Sequence, residues 1–238
     1  MSAREAESVT ISGIRVELSH TSKLMFDDPE ITKGELIGYY RDMAGRILHY
    51  LRDRPLVMAR YPDGIGGQRI FQKNIPGYFP PWVSRVEVEK AGGELCQVIC
   101  DKPATLVYLA NQACIELHAF LSATGELERP DQIVFDLDPP GNDRFADVAL
   151  LALRLRELLE DELKLTAYVK TTGGKGVHVH VPLRASDSFD SARRFTLRTI
   201  GDRLERLGTS DPWAGLTRHR YGLDGAARRL ERVAAKER

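Results

Sequence analysis

The stretch "VFDLDPPG", residues 134–141, places two aspartates at alternate positions of an apolar run and closes it with a double proline. Side chains alternate across a strand, so Val134, Asp136 and Asp138 share one face while Phe135 and Leu137 take the other. Two carboxylates side by side at a strand end repel one another unless a cation lies against them. Hard divalent ions such as magnesium or manganese prefer such oxygen ligands. The alternative reading is a polar strand end followed by an ordinary Pro/Gly turn.

The segments on either side alternate between strand and helix periodicity. "PATLVYLANQACIELHAFL", residues 103–121, reads as one buried helix opened by Pro103. Beyond the aspartate strand come a helix over about residues 145–163 and a strand pair, "LTAYVK" and "GVHVHVPL". Upstream, "IRVELS" reads as a strand, and Lys33–Leu51 as a helix with Thr32 and Glu35 in capping-box positions. "PLVMARY", "RIFQKN", "VSRVEVE" and "LCQVIC" then follow as strands separated by Pro/Gly-rich turns. The fold class is α+β. With no repeats and no low-complexity linker, residues 1–238 read as a single continuous domain.

Composition limits the classes open to it. A chain of 238 residues, 42% hydrophobic and 29% charged, is long enough to bury a real core. No run approaches the roughly 18 apolar residues of a membrane span, and the polar start "MSAREAES" lacks the apolar core of a signal peptide, so the default location is cytoplasmic. Cys96, Cys100 and Cys114 form no CxxC pair and suit reduced thiols in a core. Lys and Arg match Asp and Glu at 34 each, yet residues 1–140 hold 15 basic and 20 acidic side chains and residues 141–238 hold 19 and 14. An acidic strand beside a basic second half suits an anionic substrate held against cations, and a solvated arginine-rich helix gives the same count.

"KTTGGKGVHVHVPL", residues 170–183, is the second stretch with chemical content. Two adjacent glycines and a third after Lys175 let the backbone approach a ligand, and consecutive amides with a lysine can hold phosphate oxygens. The spacing is not that of a P-loop, since Lys175 is followed by Gly176 and a strand. A glycine-rich hairpin is the alternative. His178 and His180 share one face of the next strand, where they present imidazoles to a phosphate or form the polar side of a half-buried strand.

Taken with "ELH", residues 116–118, these stretches resemble the polymerase domain associated with bacterial ligase D, a branch of the archaeo-eukaryotic primase superfamily used in non-homologous end joining. "TSKLMFDDPEITKGELIGYY", "RYPDGIGGQRIFQKNIPGYFPPWV", "CDKPATLVYLANQACIELH" and "RPDQIVFDLDPP" resemble the family in the same order, over about residues 10–185. The resemblance implies a primase-polymerase fold with an RRM-like palm, built of antiparallel sheet and packed helices. It implies a DNA-end-binding part over about residues 1–100 and a catalytic palm over about 101–238.

It further implies a template-directed nucleotidyltransferase that fills gaps at DNA double-strand breaks by a two-metal mechanism. Asp136 and Asp138 match the metal-binding aspartates for manganese or magnesium. His118, Thr172, Lys175 and His178 match contacts to the nucleoside triphosphate, with Thr172 replacing a serine. Lys23 and Lys33 match the pair that grips the 5′ phosphate of a gapped or broken end, and Lys33 lies in a first helical turn whose amides also favour phosphate. Phe71 matches one of two adjacent aromatics against the template, and Ile70 stands where the other would be, so stacking there is expected to be weaker. A separate ATP-dependent ligase and a Ku-like protein are the candidate protein partners, and nucleoid association is the corresponding location.

The family's third catalytic aspartate, set in a strand with a following aromatic and Asn, has no clear counterpart. Asp224 in "HRYGLDG" stands at a suitable distance beyond Lys175, but Gly225 replaces the aromatic. Asp187, Asp190, Asp202 and Asp211 are the remaining carboxylates in that part. The expectation is a C-terminus that is shortened or diverged. A second class of function therefore stands beside the first: a DNA-end and nucleotide-binding module impaired in catalysis.

Overall fold

The computed structural model describes residues 7–90, 93–139, 144–184 and 187–197. The chain divides into two compact units, Met1–Leu127 and Glu128–Arg238, each with its own apolar core.

In the first unit β1 (Ser8–Ile11) and β2 (Ile14–Glu17) form one hairpin, and β3 (Leu24–Asp27) and β4 (Glu30–Thr32) another. The β1–β2 turn is Ser12-Gly13, both at positive φ (49° and 80°), the handedness that suits a two-residue loop between twisted strands. Helix α1 (Lys33–Leu51) begins where its capping box predicts: Glu35 N donates to Thr32 Oγ1, and Thr32 N donates to the Glu35 carboxylate. Leu36, Ile37, Tyr40, Ala44, Leu48 and Leu51 recur at helical spacing and form its buried face.

Strands β5 (Pro55–Arg60), β6 (Ile70–Gln72), β7 (Arg85–Lys90), β8 (Gly93–Ile99) and β9 (Cys114–Ala119) make one antiparallel sheet. β5 is its centre. β9 pairs along one side of it, while β8 takes Pro55 and Leu56 on the other side and β6 takes Met58, Ala59 and Arg60. The continuous apolar run from Pro55 to Ala59 is buried throughout, as a central strand requires.

Residues 103–121 do not form the single helix that their composition suggests. Helix α2 (Pro103–Asn111) stops, Ala113 adopts a φ of 58°, and the chain continues as β9. Pairing along the whole of β5 outweighs the helical propensity of the Ala and Leu residues, and places Leu117 against the core with Glu116 and His118 turned away from it.

In the second unit β10 (Gln132–Leu137), β11 (Tyr168–Thr171) and β12 (Val177–Pro182) form an antiparallel sheet in the order β10-β12-β11. Helix α3 (Phe145–Glu157), extended by a π-helical turn at Leu158–Glu162, supplies Val148, Leu155, Leu158 and Leu159 to a core with Ile133, Leu137, Val177, Val179 and Val181. The alternation read from the aspartate strand is the one observed: Ile133 and Leu137 are buried, and Asp136 and Asp138 exposed. A short helix α4 (Phe189–Phe195) follows, capped by the Ser188 hydroxyl. Cys100 and Cys114 are buried free thiols, and burial pushes both above the usual range. Among the described residues no helix is long and apolar enough to cross a membrane.

Candidate active site and nucleic-acid surfaces

The polar face of the second unit's sheet follows from strand register. Asp136 lies directly opposite His178, and His178 directly opposite Lys170, so a carboxylate, an imidazole and an ammonium form one row across three strands. His178 Nε2 is 3.3 Å from Asp136 Oδ1, and the Asp136 side chain remains 64% exposed. The next row is Val134, His180 and Tyr168. There His180 Nδ1 lies 2.9 Å from Gln132 Oε1, and burial, then Lys170, then His178 push the imidazole below its usual range.

Asp138 sits just past the end of β10, against the loop that joins β11 to β12. A Cβ on Gly176 would lie 2.6 Å from the Leu137 carbonyl and would also strike the Asp138 carboxylate, so only glycine lets the loop's return come this close. The loop, residues 172–176, is the glycine-rich hairpin that the sequence left as one of two readings. Thr172 N and Oγ1 both donate to the Gly176 carbonyl, at 3.2 and 3.1 Å, and Gly174 N donates to Thr172 Oγ1 at 3.3 Å. Gly173 takes the positive φ (80°) of the turn, and Lys175 is exposed at its tip. Hairpin and phosphate-type loop are compatible, because the turn that closes the strands also projects the lysine.

Two exposed carboxylates at successive same-face positions are a donor set suited to magnesium or manganese, which complete their shells with water and ligand phosphate oxygens. Among the described residues no three His, Cys, Asp or Glu side chains converge as a metal-sized cluster, so Asp187 and Asp190 do not complete the pair. Asp202, Asp211 and Asp224 lie outside the described residues.

In the first unit His118 belongs to a cluster that the sequence did not announce. The Glu116 carboxylate accepts from Arg69 Nη2 at 2.7 Å and from the Tyr61 hydroxyl, and lies 3.1 Å from His118 Nε2. Arg69 Nη2 is also 3.3 Å from His118 Nε2. Burial alone would raise the Glu116 carboxyl, but the Tyr61 hydrogen bond and the charges of Arg69 and His118 prevail and hold it below the usual carboxylate range. Phe71 is 50% exposed, edge-on to His118 at 5.2 Å, with the Arg69 guanidinium 5.4 Å from its ring centre. A helical reading of residues 103–121 separates Glu116 from His118, whereas a strand sets positions i and i+2 side by side. The alternation "ELH" was the signal available.

Lys23 and Lys33 come together at the start of α1, in unequal settings. Lys23 is exposed and pairs with Asp63 Oδ1 at 3.1 Å. Lys33 is 6% exposed, and its ammonium donates to the Asn111 carbonyl at 3.1 Å and to the Ser19 hydroxyl at 3.3 Å. Burial first, and the Lys23 charge second, push Lys33 below the ordinary lysine range. The first-turn amides expected to favour phosphate are already engaged: Lys33 N donates to the Lys23 carbonyl, Gly34 N to the Thr21 carbonyl and Glu35 N to Thr32 Oγ1. Lys23, not the helix terminus, is the exposed donor of this pair, and Lys33 lies buried beside it.

The domain combines mixed helices and antiparallel sheet with an exposed aspartate pair and a lysine-tipped hairpin. The solved polymerase domain of Mycobacterium tuberculosis ligase D, in complex with DNA, has the same fold: it is 31% identical, with a TM-score of 0.73 over 81% of this chain and 69% of that one. The family model for the LigD primase-polymerase domain matches residues 32–214, and the chain belongs to that family. Among relatives, the bifunctional non-homologous end joining protein LigD of Bacillus subtilis is 32% identical over 183 residues, 76% of this chain and 29% of its own length. The multifunctional non-homologous end joining protein LigD of Pseudomonas aeruginosa is 33% identical over 202 residues, 85% of this chain and 24% of its own. The chain thus spans about a quarter of the length of these curated relatives.

Proposed function

We propose that the chain is a template-directed nucleotidyltransferase of non-homologous end joining, filling gaps at DNA double-strand breaks. The observation that carries this reading is the row Asp136–His178–Lys170, with Asp138 beside it and Lys175 on the adjoining loop: paired carboxylates on an exposed face flanked by lysine and histidine side chains. Asp136 and Asp138 would hold magnesium or manganese, which supplies neutralisation of the triphosphate and activation of the primer hydroxyl.

Lys175 and His178 bind the phosphates of the incoming nucleoside triphosphate, and Thr172 shapes the loop that presents Lys175. His118, oriented by Glu116, is a further candidate nucleotide contact. Lys23 and Lys33 bind the 5′ phosphate of the downstream strand, and Phe71 packs on the template. Family membership, a DNA-bound relative and relatives named for end joining support this reading. A ligase activity and a Ku-like protein are the partners it proposes, since end joining requires sealing and end recognition as well as synthesis.

The test is nucleotide addition to a labelled primer on a gapped duplex with a 5′ phosphate, with each metal in turn. The expected result is lengthening by template-complementary nucleotides. A primer that stays unextended with all four triphosphates and both metals contradicts the proposal.

A further inference from the structure

Residues 64–86, "GIGGQRIFQKNIPGYFPPWVSRV", contain no acidic residue while holding Arg69, Lys73 and Arg85. Such a stretch stands out in a chain whose acidic and basic residues balance at 34 each. The same stretch exposes four large apolar side chains: Ile65, Ile70, Phe71 and Tyr78, the last at 61%. It includes β6, an edge strand of the first unit's sheet.

Tyr78 is the most exposed of these, and it is fixed at both ends. Its neighbour Phe79 is buried, edge-on to Tyr108 at 5.0 Å. Its hydroxyl accepts a 2.8 Å hydrogen bond from Arg60 Nη1. Arg60 is itself held, donating from Nε to the Gln112 carbonyl at 2.9 Å and from Nη1 to Gln72 Oε1 at 2.9 Å. A ring so anchored loses little conformational freedom when a ligand covers it.

Strand register separates Tyr78 from Phe71. Ile70 lies opposite Arg60, the residue that holds Tyr78, whereas Phe71 lies opposite Ala59 and meets His118 on the other face of the sheet. The edge strand therefore has an aromatic ring near each of its faces.

The charge around Tyr78 selects the ligand. Arg60 donates to its hydroxyl, and Arg85, seven residues further along, donates to the Pro80 and Val83 carbonyls. A flat, exposed, preorganised ring, hydrogen-bonded by a guanidinium and set on a stretch without carboxylates, matches a base of an anionic strand stacked on the ring. We propose that Tyr78 is a base-stacking residue for single-stranded nucleic acid, a contact separate from that of Phe71. The proposal deepens the nucleotide-transfer reading and rests on it for the identity of the strand as template.

The test is equilibrium binding of the full chain to a short single-stranded oligonucleotide carrying 2-aminopurine, and to a blunt duplex with a 5′ phosphate. Stacking on Tyr78 quenches the 2-aminopurine. Tyr78→Ala should weaken single-strand binding about tenfold and abolish the quench, while leaving blunt-duplex binding and the salt dependence unchanged. Tyr78→Phe, which keeps the ring and loses the hydrogen bond from Arg60, should keep the quench with an affinity between those of the parent and Tyr78→Ala. Parent-like affinity and quench in Tyr78→Ala overturn the proposal. So does a Tyr78→Ala variant that binds the strand normally but loses self-association on a sizing column, which would assign the surface to a second copy. Primer extension by the parent chain is scored separately: its absence contradicts the nucleotide-transfer reading alone, and an unchanged quench contradicts the Tyr78 assignment alone.

Discussion

Asp136 and His178 face one another across the β10–β12 ladder, with Oδ1 and Nε2 3.3 Å apart, so the imidazole adjoins one of the two carboxylates suited to a metal ion. Removing the ring removes a donor for a phosphate oxygen without disturbing the strand pairing. His178→Ala is expected to raise the nucleotide KM about tenfold, the scale of one hydrogen bond to a charged group, and to leave gapped-DNA affinity unchanged. Steady-state nucleotide titrations and a DNA-binding isotherm measure the two.

Gly176 is a second lever on the same carboxylates. Its missing Cβ makes room for Asp138 and the Leu137 carbonyl, and the backbone oxygen cannot swing aside. Gly176→Ala should displace Asp138, eliminate nucleotide addition and cost about 1–3 kcal/mol of stability, the usual range for overpacking. Urea unfolding and primer extension on the same preparation check both parts, and a variant as active as the parent would show that Asp138 needs no such clearance.

Lys33 carries a pH signature. Its buried ammonium gives up a proton more readily than an ordinary lysine, and an adjacent phosphate dianion favours the protonated form. Preference for a 5′-phosphorylated gap over an unphosphorylated one should therefore shrink as pH rises, at values below the ordinary lysine pKa of 10.5. Lys33→Ala should show a small preference at every pH. Affinities for the two gaps measured from neutral to alkaline pH decide it.

His180 links the second unit to pH in the opposite range. Its folded-state pKa lies below 6.5, so as pH falls through 6.5 the unfolded chain takes up a proton that the folded chain resists. Stability should be full above that point and decline as the medium becomes acid. Thermal unfolding across the acid range should show the decline in the parent chain and a shallower one in His180→Asn.

The parts of this account that were legible in the sequence are local. The capping box of Thr32 and Glu35 fixes the start of α1 within four residues of chain, and the alternation of Asp136 and Asp138 is a property of a single strand. What the sequence hid depends on partners far along the chain. Residues 114–119 become a strand because β5 offers an edge to pair with, which no window of that segment reveals. Lys33 reads only as a cation in the first turn of a capped helix, and its burial against Ser19 and against Asn111, 78 residues away, is not visible locally. The Glu116 cluster was hidden twice, first by the helical reading and then because Tyr61 and Arg69 arrive from the β5–β6 connection. Tyr78 gave no local sign either, since what makes it a presented ring is the hydrogen bond from Arg60.

The central claim is that Asp136 and Asp138 carry metal-dependent nucleotide addition, and the most direct measurement compares the parent chain with Asp136→Asn and Asp138→Asn on a 5′-phosphorylated gapped duplex with manganese. Asn keeps the size of each side chain and removes its charge, so DNA affinity should persist. The account predicts template-complementary addition by the parent chain and none by either variant. Addition at the parent rate by both variants would contradict it.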